Sequence, residues 1–281
     1  MKTIQEVLLL SAEYLAKRGL KNVRREAEEA LSLGLKLPRI DLYMHFDRPV
    51  TEVELEQCRN YLVRRGKGEP YAYIQGTAEF YSCQFSLNSA VLIPRQETEI
   101  LVDKIANTLK QENRQGKILW DLCCGSGCIG ISLKKCHPEL ELVMSDICPE
   151  ALLVAKKNME ANAVAGSVLQ GNLFEAYAGK CDYFVCNPPY ISEKEYESLE
   201  LEVKGYEPKK ALVAEQDGLA FYHKIAVELK ARLTPGGKAW MEIGYQQGRQ
   251  VLEIFKEAGW RHCRLEKDWA GHDRFFSLEN E

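Results

Sequence analysis

Ile118-Leu119-Trp120-Asp121-Leu122-Cys123-Cys124-Gly125-Ser126-Gly127-Cys128-Ile129 is the stretch on which the fold turns. Residues 118–122 are an apolar run that reads as a buried strand, and residues 129–135 read as a short helix. The glycines between them let the backbone turn tightly into the helix and approach a bound ligand closely. Gly125, Gly127 and Gly130 fall at the spacing G-x-G-x-x-G. Alone, such a loop is weak evidence, since many are simply tight turns.

Downstream of this stretch the alternation continues. Residues 140–144 read as a strand, 149–161 as a helix, and 168–169 and 183–186 as strands. Residues 219–233 read as a helix stopped by Pro235-Gly236-Gly237, 238–243 as a strand and 247–258 as a helix. A strand pair at 261–265 and 274–278 closes the pattern. Strands alternating with helices mean a mostly parallel sheet covered on both faces, and the closing pair predicts one antiparallel edge.

Upstream the pattern is different. Residues 1–70 read as helices only: Thr3-x-x-Glu6 and Thr51-x-x-Glu54 are capping boxes, and Ile4, Val7, Leu8, Ser11 and Leu15 recur at helical spacing. Gly19 is a stop, Asn22 caps a second helix ended by Gly34, and Pro38 opens a short third. Residues 71–96 are rich in aromatic and β-branched side chains and predict an extended hairpin, with Gly76 and Asn88 at turns. A helix over 97–110 follows, its first turn carrying Glu97 and Glu99 in accord with the helix dipole. The expected organisation is a helical domain at 1–70, a hairpin linker at 71–96 and an α/β domain at 97–281.

The bulk properties fit a chain of 281 residues, 46% hydrophobic and 28% charged, with a proper core. No apolar run approaches the roughly 18 residues of a membrane-spanning helix. Glu6 and Glu13 interrupt the first apolar stretch, which therefore reads as an amphipathic helix and not as a signal peptide. A net charge of -4 favours a small-molecule or protein substrate over nucleic acid, and a basic protein partner best of all. Ten cysteines include Cys123, Cys124 and Cys128 close together, and Cys124-x-x-x-Cys128 raises a metal site as one reading. The favoured reading is small buried hydrophobes in a reducing cytosol, with no metal.

Further residues gather at predicted strand ends. Asp146 ends the strand after the glycine loop, where a carboxylate can accept hydrogen bonds from both hydroxyls of a ribose. The alternative is a helix cap ahead of Pro149, and the preceding loop favours the ribose reading. Gly171-Asn172-Leu173-Phe174 ends the third strand: Asn172 could bond an adenine edge and Leu173 pack on its ring, although a turn with a buried Phe explains the stretch by itself. Asn187-Pro188-Pro189-Tyr190 decides the function. Prolines stiffen the backbone and leave carbonyls free, so the Asn187 amide oxygen and the Pro188 carbonyl can converge on one NH2 group. Its lone pair is then left facing a methyl donor, and Tyr190 can stack on the planar group that bears it. A proline-rich turn is otherwise ordinary, but this one sits where α/β sheets bind ligands.

With these residues in view, the chain resembles the release factor glutamine methyltransferase family, of the HemK/PrmC type, over nearly its whole length. The resemblance runs through Arg65-Gly66-Lys67-Gly68-Glu69-Pro70, Tyr73-Ile74, Gly76 and Glu79-Phe80, then Leu92-Ile93-Pro94-Arg95-Gln96-Glu97-Thr98-Glu99. It continues in Asn187-Pro188-Pro189-Tyr190-Ile191, Tyr206-Glu207-Pro208, Ala211-Leu212, Asp217-Gly218 and Gly237. The Asn-Pro-Pro-Tyr motif is shared with adenine-N6 methyltransferases, whereas the 94–99 segment and the helical N-terminal part are more family-specific. Cys123 stands where the family usually has Gly, and fits there with a negative φ. Gln96, Ser82 and Leu173 replace a common Pro, Gly and aromatic.

The resemblance implies a seven-stranded, Rossmann-like class I methyltransferase domain with a small N-terminal helical substrate-recognition domain and a β-hairpin linker. It implies N5-methylation of the glutamine in the Gly-Gly-Gln motif of peptide chain release factors, with S-adenosylmethionine as cofactor, S-adenosylhomocysteine as product and a cytoplasmic location. Catalysis falls to Asn187, Pro188 and Tyr190, and the substrate is held by these with Pro189. The cofactor is held by Asp121, Cys123, Cys124, Gly125, Ser126, Gly127, Asp146, Asn172, Leu173 and Asn187. Rival acceptors are a ribosomal-protein glutamine and a nucleic-acid adenine; a binding module without catalysis is the rival from another class.

Overall fold

A computed structural model describes residues 1–281. The chain divides into two compact units, residues 1–76 with 200–206, and residues 77–199 with 207–281. The first is helical: α1 (Ile4–Ala16), α2 (Val23–Leu35), α3 (Arg39–Met44), α4 (Glu52–Gly66) and α5 (Tyr71–Gln75). Both capping boxes form, each Thr hydroxyl accepting the N–H of the Glu three residues on while that Glu accepts the Thr N–H. The residues of α1 spaced for one face, Ile4, Val7, Leu8, Ser11 and Leu15, are its buried ones, and the apolar members share a core with Leu31, Cys58 and Leu62. Buried Arg65 bonds Glu26 (2.6 and 2.9 Å) and Glu202 (2.8 Å), which holds the short helix Leu201–Tyr206 in this unit.

Three local expectations fail here. Asn22 takes a left-handed conformation and its side chain caps nothing. Gly34 does not end α2; it lies in the last turn, where a Cβ would stand 2.4 Å from Cys58 Sγ, so close packing of α2 on α4 requires it. Residues 71–75 are helical and not extended, because Gly76 at φ 75° supplies a helix stop that outweighs the β preference of a few aromatics.

The second unit opens with a hairpin of β1 (Thr77–Phe80) and β2 (Cys83–Ser86). Its turn is Tyr81-Ser82, both at positive φ, and not Gly76 or Asn88. The hairpin is fastened to α8 (Pro149–Ala161): Asn158 exchanges hydrogen bonds with the Ser86 backbone (2.7 and 3.1 Å) and Asn162 donates to the Gln84 carbonyl (2.8 Å). Residues 91–93 are not strand either; Asn88 bonds Ala90 and Val91 and sends the chain along a loop.

Then come α6 (Gln96–Leu109), β3 (Ile118–Leu122), α7 (Cys128–Cys136), β4 (Glu141–Asp146), α8, β5 (Ser167–Gln170), β6 (Cys181–Cys186) and α9 (Glu193–Ser198). With Leu201–Tyr206 counted as α10, α11 (Ala220–Arg232), β7 (Leu233–Glu242), α12 (Gly248–Glu257), β8 (His262–Lys267) and β9 (Asp273–Glu279) follow. The sheet order is β5-β4-β3-β6-β7-β9-β8. Only β9 runs against its neighbours, so the seven strands and the antiparallel edge stand as expected. Pro235-Gly236-Gly237 does not separate helix from strand: β7 already pairs at Leu233, and the segment bulges before pairing resumes at Lys238. Trp120 centres the core, edge-on to Phe174, Tyr177 and Phe184, its indole N–H bonded to Ser145 Oγ (2.8 Å). The chain winds outward from β3 through β4 to β5, then returns beside β3 as β6. The sheet's switch point, where α/β folds bind ligands, is therefore between β3 and β6.

Candidate active site

A cavity of about 380 Å³ opens at the carboxyl ends of β3, β4 and β6. Among its lining residues are Cys123, Cys124, Gly125 and Ser126 from the loop after β3, Asp146 and Ile147 from the end of β4, and Asn187 and Pro189 after β6. Arg95, Thr98 and Lys210 complete other parts of the wall.

The loop folds by alternation of left-handed residues, Cys123 (φ 58°), Gly125 (φ 53°) and Gly127 (φ 78°). Cys123 was expected at negative φ and is not. The Cys124 N–H must reach the Ser145 carbonyl (3.0 Å) and the Gly125 N–H the Asp146 Oδ2 (2.9 Å), and a left-handed residue 123 meets both. A non-glycine residue there costs about 1–2 kcal/mol. The Cys123 side chain packs on the core beside the buried Cys186 thiol, whose pKa burial pushes up.

Asp146 is not a helix cap. Its Oδ1 accepts the N–H of Cys148, the residue that itself occupies the cap position of α8, and its Oδ2 holds Gly125. Burial raises its pKa, against backbone hydrogen bonds that lower it. Asp121, 1% exposed, stands behind the wall: Oδ2 accepts the Gly130 N–H at 2.9 Å and Oδ1 has no partner. Burial pushes its pKa up to about 7, with the charge of Asp146 contributing. A Cβ on Gly130 would stand 2.9 Å from this carboxylate, so glycine is required for α7 to sit down on β3.

Gly127 also lies behind the wall. Asn172 and Leu173 do not line the cavity: Asn172 is exposed, and Leu173 is buried in the core at φ 51° as the start of a 3₁₀ turn. Ile147, 58% exposed, is the apolar side chain beside Asp146, a place the sequence reading left empty.

At Asn187-Pro188-Pro189-Tyr190 neither the Asn187 side-chain amide nor the Pro188 carbonyl takes a hydrogen bond within the chain. Tyr190 is tethered. Its hydroxyl donates to Glu242 Oε1 (3.1 Å), and Thr98 Oγ1 donates to Glu242 Oε2 (2.6 Å). Burial raises the Glu242 pKa, opposed by these two bonds. Buried Glu207 bonds Arg95 and the Ile93 N–H (3.1 Å), fixing the 93–95 segment in the wall. Sequence reading assigned no role to Glu207, Glu242, Gln247 or Asn158. Glu242 and Gln247 carried a usable signal, since both flank the carboxyl end of a strand adjacent to β6.

Strand order and wall together narrow the class to the class I methyltransferases. The chain matches the family description "Methyltransferase small domain" over residues 96–202 and "PrmC N-terminal domain" over residues 6–76. The solved 16S rRNA N2 G1207 methyltransferase (RsmC) of T. Thermophilus shares the fold, with a TM-score of 0.52 at 18% identity over 73% of this chain and 50% of that one. Closer relatives narrow it further. A release factor glutamine methyltransferase of Chlamydia trachomatis is 41% identical over 278 residues, 99% of this chain and 94% of its own. One of Geobacter sulfurreducens is 38% identical over 97% and 95%. The chain belongs to the release factor glutamine methyltransferase family.

Proposed function

We propose that this protein transfers a methyl group from S-adenosylmethionine to the side-chain nitrogen, N5, of the glutamine in the Gly-Gly-Gln loop of peptide chain release factors. The observation that carries this reading is the unengaged Asn187 side-chain amide on the wall that also holds the glycine loop, with the unengaged Pro188 carbonyl directly after it in the chain. Relatives bearing the glutamine methyltransferase name over full length disfavour the ribosomal-protein and adenine alternatives.

The wall fits the cofactor. Gly125 is left-handed with open space where a Cβ would project, which leaves room for a ligand against the backbone of the loop. In this reading Asp146 accepts ribose hydroxyls, Ile147 offers an apolar face to the base, and residues 123–126 bound the rest. Asp121 and Gly127 act from behind by holding the loop and α7. Asn172 stands one residue beyond Gly171, whose N–H bonds the Asp146 carbonyl (3.2 Å), and is assigned to the base end with Leu173 as its support.

When bound, S-adenosylmethionine supplies an electrophilic methyl group on a sulfonium. The chain's task is to make an amide nitrogen nucleophilic, since its lone pair is delocalised into the carbonyl. Asn187 and Pro188 accept the two N–H bonds, which fixes the nitrogen and favours the positive charge that develops there. Tyr190, tethered through Glu242, holds its ring for the planar amide. The N-alkylated amide is strongly acidic, so water or a site carbonyl removes its proton and no general base is needed. Residues 1–70 are assigned to gripping a second surface of the factor, and 97–281 to cofactor and chemistry, with the 71–96 segment between them in sequence.

Asn187→Ala tests the reading. Turnover should fall by at least about 100-fold, the loss typical of a transition-state hydrogen-bond group. Calorimetric affinity for S-adenosylmethionine should change only a few-fold. Near-normal turnover would remove Asn187 from catalysis.

A further inference from the structure

The prolines stiffen the middle of the acceptor turn but do not set where its far end lies. That end is held from outside. Gln247 Nε2 donates to the Tyr190 carbonyl (2.9 Å) and to the Asp217 carbonyl (3.2 Å), while Gln247 Oε1 accepts the Gly244 N–H (3.1 Å). One side-chain amide, 8% exposed, thus joins the acceptor turn, the turn at 216–218 and the end of β7.

The three segments meet without slack. A Cβ on Gly218 would stand 2.1 Å from the Tyr190 carbonyl oxygen and 2.5 Å from Gln247 Nε2, and one on Gly244 would stand 2.6 Å from Gln247 Oε1. Gln216 and Asp217 are both left-handed (φ 55° and 54°). Non-glycine residues in that region hold strain that their surroundings must over-determine. Here the left-handed pair precedes Gly218 and brings the Asp217 carbonyl to the amide. The Tyr190 hydroxyl on Glu242 is a second restraint on the same residue. Gln247 itself does not line the cavity.

We propose that Gln247 is a positioning residue for methyl transfer: by fixing the Tyr190 carbonyl it aims the Asn187 and Pro188 acceptors at the glutamine nitrogen. The proposal rests on the glutamine methyltransferase reading above. Small misalignment of reacting groups is costly in rate, while the binding of a cofactor whose wall Gln247 does not touch is left alone.

The test uses the full chain, a purified unmethylated release factor and two variants, Gln247→Met and Gln247→Glu. Met keeps the volume and loses every hydrogen bond; Glu keeps the acceptor for Gly244 and, ionised, loses the donor for Tyr190. Calorimetric titration with S-adenosylmethionine gives both the cofactor Kd and the folded fraction, to which kcat is referred. Both variants should lose roughly 10- to 100-fold in kcat, with Kd within a few-fold of the parent. Wild-type kcat per folded molecule in either variant would overturn the proposal. So would a Kd that weakens in step with kcat, or a failure of both variants to fold, which would make the bracket structural. An inactive parent chain would instead count against the function itself.

Discussion

Asp121 and Asp146 end neighbouring strands yet face different surroundings, and two predictions separate them. Asp146 is on the cavity wall, so Asp146→Ala should weaken S-adenosylmethionine binding by about 10-fold or more, the loss of about 1.4 kcal/mol or more. Calorimetry finding unchanged affinity would reduce it to a brace for the loop. Asp121 is behind the wall, with a pKa near 7 in place of the usual 3.8. The folded state holds this proton more tightly than the unfolded chain. The group's contribution to stability is therefore fullest below its unfolded pKa and is lost as pH rises through its folded one, between about pH 4 and pH 7. Asp121→Asn keeps an acceptor for Gly130 and removes the titration. Its unfolding midpoint should gain on the parent's as pH rises across that window; a constant difference would show that Asp121 does not titrate there. Cys123 gives a third contrast. Cys123→Gly relieves about 1–2 kcal/mol of left-handed strain and should keep cofactor binding, whereas Cys123→Val, β-branched at the same φ, should lower both stability and binding.

At the scale of elements, the hairpin turn Tyr81-Ser82 has both residues at positive φ without a glycine. Ser82→Gly should therefore raise the urea midpoint by an amount worth about 1 kcal/mol with no change in slope. An unchanged or lowered midpoint would mean the serine side chain is needed there. Asn158 has a wider role, joining Ser86 of β2 to the Ser126 carbonyl of the glycine loop. The strands of the sheet and most helices were legible because their signals are local: apolar runs of strand length, Pro149 at a helix start and capping boxes at Thr3 and Thr51. The hairpin was legible as β structure but not in its bounds, since 71–75 and 91–93 owe their conformation to a helix stop and to side-chain bonds with Asn88. The places of Asn187 and Asp146 on the cavity wall were legible because Asn187 directly follows a strand and Asp146 ends one. Glu242 and Gln247 carried only their place near a strand end as a signal, and Glu207 and Asn158 carried none, because the partners of all four lie far along the chain and only folding brings them together.

For the whole molecule, the helical unit is not needed to line the cavity, whose walls all come from residues 89–221. Remote contacts with a folded partner can supply binding energy that aligns the glutamine. A whole release factor should accordingly be methylated far more efficiently than a Gly-Gly-Gln peptide, which reaches no second surface and loses more entropy on ordering. Equal efficiency on peptide and protein would remove recognition from residues 1–70. The direct measurement is to incubate the chain with labelled S-adenosylmethionine and a purified, unmethylated release factor, then locate the label by mass spectrometry. A single methyl group is expected on the side-chain nitrogen of the Gly-Gly-Gln glutamine; an active preparation that leaves that glutamine bare and labels another residue of the factor would contradict the proposed function.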